Sequence, residues 1–133
     1  MARRAPAALY SLVMALHWST VLIIVAWLFG RIPGIALMIH AGLWGGVTLV
    51  WGLRGGPSPA LTGALRQAAH LSHWGLLALY VLAALLAALE QPLARPLLLA
   101  VLGAGALHGV FNLWRSSVLK DGALRRMLPR ALW

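Results

Sequence analysis

The chain has 133 residues, enough for one domain, and 62% of them are hydrophobic while only 10% are charged. A soluble domain is about a quarter charged, so this composition excludes an ordinary water-soluble protein and indicates one whose surroundings are largely lipid. The formal net charge is +9, but the basic residues lie between and after the apolar segments, which is typical of membrane topology and does not indicate a nucleic-acid partner.

Four apolar segments follow one another along the chain, at residues 8–29, 35–53, 68–89 and 96–118. Each has close to the roughly 20 residues that a helix needs to cross a bilayer. Backbone groups in lipid must be satisfied within the segment, so all four are predicted to be helices. Glycine and proline residues mark the connections: Gly30, Pro33, Gly34, Gly55, Gly56, Pro57, Pro59, Pro92 and Pro96. The predicted fold is an all-α membrane protein, one domain over residues 1–133 that forms a four-transmembrane-helix up-and-down bundle.

Basic residues are concentrated on the side of the predicted bundle that carries both chain termini and the middle loop. Nine of the eleven lie there: Arg3, Arg4, Arg54, Arg66, Arg115, Lys120, Arg125, Arg126 and Arg130. The other side has Arg31 and Arg95. The positive-inside rule therefore predicts that both termini are cytoplasmic, with the basic tail 119–133 on the anionic cytoplasmic leaflet. The first segment is expected to be a retained helix, because it is longer than the apolar region of a signal peptide.

Two histidines, His17 and His108, lie deep within the first and fourth segments. At about 1.5 Å per residue, His17 is ~14 Å from the cytoplasmic start of its helix and His108 is ~15 Å from the cytoplasmic end of its own. A titratable group at such depth is costly and usually serves function. Two imidazoles at one height on facing helices can ligate a metal from both faces of a flat macrocycle, and haem iron is a usual partner. Structural hydrogen bonding and a proton relay are the alternatives.

The residues around His108 favour a bulky, non-covalent cofactor. Gly103, Gly105 and Gly109 remove side-chain volume where a ring system would need space. The alternative is that Gly105 and Gly109 form a close contact between helices. Cysteine is absent, which excludes disulfides, thiolate metal sites, iron–sulfur clusters and covalently attached c-type haem within the chain.

The other three histidines are candidates for secondary roles. His40 lies ~8 Å from the outer end of the second segment, at a level that no other histidine reaches, so a hydrogen bond to a carbonyl or a neighbouring helix competes with haem ligation. His70 and His73 are three residues apart and share a helix face near the cytoplasmic start of the third segment. They are candidates for contacts with haem propionates or a quinone head group. The alternative places them in the membrane interface, touching water.

Groups for acid–base catalysis are scarce. Glu90 and Asp121 are the only carboxylates, and both are expected near the surface, on opposite sides of the membrane. No general acid–base pair is therefore expected inside the bilayer, and phosphate-loop and dinucleotide signatures are absent. The sequence favours an electron-transfer protein over a stand-alone enzyme.

Four stretches of the chain carry histidine motifs. They are Ala15-Leu16-His17-Trp18, Ile39-His40 with Gly45, Ala69-His70-Leu71-Ser72-His73 followed by Tyr80, and Leu107-His108 followed by the tail Lys120-Asp121-Gly122-Ala123-Leu124-Arg125-Arg126-Met127-Leu128-Pro129. Together they cover most of the chain and resemble the bacterial cytochrome b561 family, with the related b-type cytochrome subunits of Ni/Fe-hydrogenase and formate dehydrogenase. The tail is the most specific part of the resemblance, because a long run in the same order is hard to obtain by chance.

The resemblance implies a multi-pass protein of the bacterial inner membrane that binds haem b in a four-helix bundle. By the family pattern, His17 and His108 hold a haem on the cytoplasmic side. His40 would hold an outer haem together with a second fourth-helix histidine, but that second position is Ala94 in this chain. One haem is therefore expected, and two only if His40 uses a ligand from a partner chain.

A second departure from the family lies after the fourth-helix ligand, where paired histidines are replaced by Arg115 and Ser116. Both departures weaken the expectation of electron transfer across the whole membrane and of superoxide oxidation at the outer face. The expected function is a membrane b-type cytochrome that carries electrons through a bis-histidine haem and exchanges them with quinone or within a larger redox complex. The alternative is a haem-poor or haem-free accessory subunit of the same fold that packs against other membrane proteins.

Overall fold

The protein is helical, without strands, over the part that the computed structural model describes, residues 7–52, 60–126 and 128. Four long helices follow in order: α1 (Ala7–Leu28), α2 (Gly34–Trp51), α3 (Gly63–Ala88) and α4 (Ala94–Trp114). A π-helical turn, Arg115–Leu119, continues α4, and a short 3₁₀ turn, Leu124–Arg126, follows it. The prediction of an all-helical chain with four membrane-length helices is confirmed.

Backbone chemistry sets the ends of the helices more closely than hydropathy does. α2 ends at Gly52, whose φ of 72° lies in the left-handed region that glycine adopts freely, and whose N–H donates to the Thr48 carbonyl. α3 begins at residue 63 rather than at the predicted 68, because residues 64–67 are good helix formers even though they are not all apolar. Pro96 lies in the first turn of α4, where a helix needs no N–H donor.

All four helices are long and apolar enough to cross a membrane. The candidate spans contain 18 to 26 residues, which corresponds to ~27–39 Å of helix rise against a hydrocarbon core of about 30 Å. Large apolar side chains cover their outer surfaces, and Leu22, Phe29, Leu49 and Leu107 are each at least 70% exposed. An apolar exterior of this kind suits contact with lipid on all sides of the bundle.

Each helix packs mainly against the next one along the chain. α3 contacts both α2 and α4 extensively, α1 contacts α2 less, and α1 and α4 touch only weakly. The two short turns, residues 29–33 and 89–93, lie together at one end of the bundle, here called the turn end. The opposite end, where α1 begins and α4 finishes, is here called the terminal end.

Packing is dense toward the turn end and sparse toward the terminal end. The main core lies toward the turn end and contains Ile24, Leu37, Ala41, Tyr80, Ala83, Ala84, Ala87, Ala94, Leu98 and Val101. Its small residues let helices approach closely, and a Cβ placed on Gly34 would collide with the Ala87 backbone. A smaller cluster of Leu9, Leu16 and Val47 lies between α1 and α2 toward the terminal end. The half of the bundle that holds His17 and His108 is therefore the loosely packed half.

Part of the predicted topology falls outside the described residues. Arg3, Arg4, Arg54 and Arg130 are not among them, and neither are residues 127 and 129–133 of the predicted basic tail. The tail is described over residues 119–126 and at 128, where it turns back against the end of α4. The assignment of both termini to the cytoplasm rests on the basic residues of the sequence.

Candidate functional site

Three histidines from three different helices come together in the loosely packed half of the bundle. The rings of His73 on α3 and His108 on α4 are in contact, with centroids 4.6 Å apart and planes at 85°. His17 on α1 lies close enough to both for their charges to interact. The structure thus brings the two histidines expected to act as a pair into one neighbourhood and adds His73 to them. His17, His73 and His108 are called the histidine cluster below.

His17 is the member of the cluster whose ring nitrogens are least engaged by protein. The side chain is partly buried, and its ring makes an edge contact with the Trp18 ring at 5.9 Å. No hydrogen-bond partner for the imidazole is found within the described part of the chain. A neutral imidazole always has one nitrogen with a lone pair, so His17 can offer that lone pair to a bound group.

His73 is held by its own helix. Its Nδ1–H donates to the Ala69 carbonyl at 2.6 Å, and a carbonyl can only accept, so the proton is on Nδ1 and the lone pair is on Nε2. The Ser72 hydroxyl donates to the same carbonyl at 3.1 Å. A backbone carbonyl on one ring nitrogen is the arrangement that commonly orients an imidazole for metal ligation through the other. His73 is therefore oriented through Nδ1 by its own helix.

His108 is held on both sides of its ring. The Asn112 side-chain nitrogen donates to Nε2 at 2.8 Å, and Nδ1 lies 3.4 Å from the Ser72 hydroxyl, a much longer contact. Asn112 in turn accepts from Arg115 at 3.3 Å through its side-chain oxygen. Ligation of a metal by His108 would therefore replace one of two existing hydrogen bonds.

Open space surrounds this part of the bundle. A Cβ placed on Gly103, Gly105 or Gly109 would meet nothing within 4 Å, so these glycines do not form the close helix contact that is the alternative explanation for them. A groove of about 380 Å³ lies between α3 and α4, and its lining is apolar apart from Ser72 and His108. The open space that reaches His108 is therefore this groove, whereas Gly103 and Gly109 lie on the exposed surface of α4.

His40 lies in a different environment, nearer the turn end. It is 7% exposed, and each of its ring nitrogens has a partner on a neighbouring helix. Nε2 is 2.9 Å from the Ser19 hydroxyl and Nδ1 is 2.8 Å from the Tyr80 hydroxyl. Since Ser19 donates to the Leu16 carbonyl at 3.2 Å, it accepts from His40, and Tyr80 then donates to Nδ1. His40 therefore joins α1, α2 and α3 through hydrogen bonds, which is the structural alternative to ligation.

The hydrogen bonds around His40 extend along α1 to the residue before His17. The Leu16 carbonyl also accepts from the Thr20 hydroxyl at 2.7 Å. The Trp44 indole N–H donates to the same Thr20 hydroxyl at 3.0 Å. This network fixes the rotation of α1 against α2 at the turn of helix that carries His17.

His70 and His73 do not act as a pair. His70 is exposed, whereas His73 is half-buried against His108. Three residues of helix correspond to a rotation of about 300°, so the two side chains point about 60° apart. On a helix that is buried along one side only, that angle is enough to place one ring inside the bundle and the other outside it.

The sequence reasoning missed Asn112 and assigned Arg115 only to membrane topology. Arg115 is 1% exposed, and its guanidinium contacts Asp121 at 2.9 Å through Nε and 2.7 Å through Nη2. A signal for this was present, because His108, Asn112 and Arg115 are spaced i, i+4, i+7, which places them on one face of α4. Polar residues repeating on one face of a transmembrane helix indicate a buried polar network.

The Asp121 side chain is fully buried against Arg115, although the residue lies beyond the end of α4. The π-helical turn and the left-handed conformation of Lys120, with φ 52°, reverse the chain after α4. This reversal brings Asp121 back onto Arg115, six residues earlier. Glu90, the other carboxylate, is exposed in the turn between α3 and α4, as expected.

The donor set suits a cofactor ligated by two imidazoles better than a bare metal ion. Within residues 7–52, 60–126 and 128, no group of three or more histidine, aspartate or glutamate side chains is arranged to hold a metal. A haem needs only two protein ligands, one from each side.

Comparison with known proteins finds no matching family model, no matching curated protein and no matching solved structure.

Proposed function

We propose that the chain is a membrane b-type cytochrome that carries electrons through one non-covalently held haem, which His17 and His108 would hold. The observation that carries this proposal is the histidine cluster itself. Imidazoles from α1, α3 and α4 lie in the loosely packed half of an apolar bundle, and the His73 and His108 rings are in contact with centroids 4.6 Å apart. Keeping such groups inside a membrane is costly unless they bind something.

The residues present fit a haem. The lone pair of His17 has no protein partner in the described chain, and an apolar groove of about 380 Å³ opens beside His108. When bound, the haem supplies one-electron chemistry, and the protein supplies ligation, orientation and exclusion of water. His73 packs edge-on against His108 and so restricts the rotation of that ring.

A single haem is part of the proposal. Both ring nitrogens of His40 are hydrogen-bonded to side chains of α1 and α3. A second haem would have to break both the Tyr80 and the Ser19 contacts of a buried imidazole or find space beside them. Ala94, which stands where the family has the partner ligand, is buried and offers no donor.

The proposal also covers the membrane topology of the chain and the partner with which it exchanges electrons. The bundle would have up-and-down topology with both termini on the cytoplasmic side of a bacterial inner membrane, because the sequence concentrates its basic residues on that side of the predicted bundle. The apolar groove beside Ser72 and His108 is the place where a quinone head group would find hydrogen-bonding groups and its tail would find apolar walls. Subunits of a larger redox complex are the other proposed exchange partners, and they would contact the exposed apolar helices.

The second candidate is a haem-free accessory subunit. One observation favours it: Nε2 of His108 is engaged by Asn112 at 2.8 Å. In this reading the histidines hold helices together, and the apolar exterior packs against other membrane proteins.

A reduced-minus-oxidised spectrum with a haem-to-protein ratio separates the candidates. The protein purified from membranes is expected to bind haem at a ratio near one. His17→Ala and His108→Ala should each abolish the spectrum, whereas the matched control His70→Ala, an exposed histidine on α3, should leave it unchanged. A protein without haem would reject the cytochrome, and a ratio near two would reject the single-haem form.

A further inference from the structure

A chain of hydrogen bonds connects the buried ion pair after α4 to His108. Asp121 holds the Arg115 guanidinium at 2.9 and 2.7 Å. The Nη1 group of Arg115 donates to the Asn112 side-chain oxygen at 3.3 Å, and the Asn112 side-chain nitrogen lies 2.8 Å from His108 Nε2. Asp121, Arg115 and Asn112 are called the α4 relay below.

The direction of every bond in the α4 relay follows from the chemistry of Arg115. A guanidinium has five donors and no acceptor, so Asn112 must turn its oxygen toward Arg115. The amide N–H₂ of Asn112 then faces His108, and Nε2 has to accept. A neutral His108 therefore carries its proton on Nδ1, and the Ser72 hydroxyl, which itself donates to the Ala69 carbonyl, accepts that proton over a longer contact of 3.4 Å. The contact with Arg115 therefore fixes which end of the Asn112 amide is the oxygen and which is the nitrogen, an assignment that is otherwise ambiguous.

Burial makes the α4 relay rigid. Arg115 is 1% exposed, Asn112 is 9% exposed, and the Asp121 side chain is fully buried. Water is therefore excluded from the charged groups of the relay. In such surroundings, hydrogen bonds to charged groups are stronger than hydrogen bonds between neutral groups. The Asp121 carboxylate also accepts from the Ala123 backbone N–H at 2.9 Å, so the carboxylate that holds Arg115 is itself held by the tail.

We propose that Arg115, acting through Asn112, sets which ring nitrogen of His108 carries the proton, and that the Asn112 amide thereby occupies the Nε2 lone pair. Arg115 and Asn112 are positioning residues for His108. An imidazole ligates a metal through a lone pair, so a haem iron at Nε2 competes with Asn112, and the folded tail lowers haem affinity. This second step rests on the proposed function, whereas the position of the proton does not.

The proton position is measured by nitrogen NMR on the full chain in lipid nanodiscs with isotope-labelled histidine. The His108 signals are identified by their loss in His108→Ala. Wild type should show the proton on Nδ1. Asn112→Asp replaces the donor with a group that only accepts, so Nε2 should gain the proton. Lys120→Gln removes a charge from an exposed residue next to Asp121 and is the matched control, with no change expected.

Two Arg115 variants show whether the proton position depends on a hydrogen-bond donor at residue 115 or only on the volume of its side chain. Arg115→Lys keeps a side chain that only donates, so the proton should stay on Nδ1. Arg115→Met combined with Asp121→Asn removes the donor without leaving an unpaired charge, and both proton positions should then be populated. An Nε2 that stays unprotonated in Asn112→Asp overturns the proposal. This variant keeps the Asp121–Arg115 ion pair, so the test remains if the double variant does not fold.

Haem titration tests the competition for Nε2. Asn112→Ala should raise haem affinity about fivefold, the equilibrium value of one hydrogen bond. An unchanged or lower affinity in a protein that binds haem overturns the competition. A wild-type protein that binds no haem rejects the proposed function instead, and the NMR result still decides whether Arg115 sets the proton position.

Discussion

The close approach of α2 to α3 can be tested by adding one methyl group. Gly34→Ala places a Cβ that overlaps the carbonyl group of Ala87 and lies 2.8 Å from the Ala88 nitrogen. These are backbone atoms of a helix, so no side-chain rotation relieves the overlap, and one helix has to move. Overpacking of a core costs about 1–3 kcal/mol. Because the overlap is with backbone, the expected loss in unfolding free energy is at the top of that range, about 3 kcal/mol.

The matched control for this variant is Gly105→Ala. Its Cβ would meet nothing within 4 Å, and alanine is favoured over glycine in a helix interior by up to about 1 kcal/mol. Its unfolding free energy should therefore be unchanged or slightly higher. Unfolding in mixed detergent micelles can be followed by tryptophan fluorescence, because Trp27 and Trp44 pack against the main core. Equal unfolding free energies for Gly34→Ala and wild type would refute the close approach of the two helices.

Three further predictions concern the polar groups. Tyr80→Phe leaves a buried nitrogen of His40 without its donor, so the unfolding free energy should fall by about 1–3 kcal/mol while the haem-to-protein ratio stays constant; an unchanged unfolding free energy would contradict the buried hydrogen bond. Asp121→Ala leaves the Arg115 guanidinium buried without a counter-charge and should cost about 3–5 kcal/mol in chemical unfolding, and wild-type stability would contradict a buried pair. His73→Ala removes the ring packed against the fourth-helix member of the cluster and should weaken haem binding while the bis-histidine spectrum persists; complete loss of that spectrum would make His73 a ligand.

The fold was predictable from the sequence because its signals are long and simple. Four apolar runs of membrane length leave helices as the only way to satisfy the backbone in lipid. Helix ends were less predictable. Residues 63–67 continue α3 beyond its apolar run, and the end of α2 depends on the positive φ of Gly52. Hydropathy reports the surroundings of a segment, whereas the helix end depends on local backbone conformation.

The candidate site was predictable along the helix axis but not around it. The depths of His17 and His108 follow from the rise per residue, and the structure brings those residues into one neighbourhood. Whether His70 or His73 faces the bundle depends on the rotation of α3, which is set by packing against α2 and α4. The partner of Arg115 was harder still to foresee, because Asp121 reaches it only through a chain reversal after α4.

The uneven packing along the bundle axis determines where the protein opens most easily. Local opening is least costly where buried contacts are fewest, and α1 is joined to the bundle mainly through α2. The terminal half of α1, which is held against α2 by the small cluster of Leu9, Leu16 and Val47, is therefore expected to open at a lower cost than the main core at the turn end. Such a motion parts α1 from α4 on the side that faces the acyl chains. The proposed haem would then have a lateral route of entry to the histidine cluster that does not require the bundle to unfold.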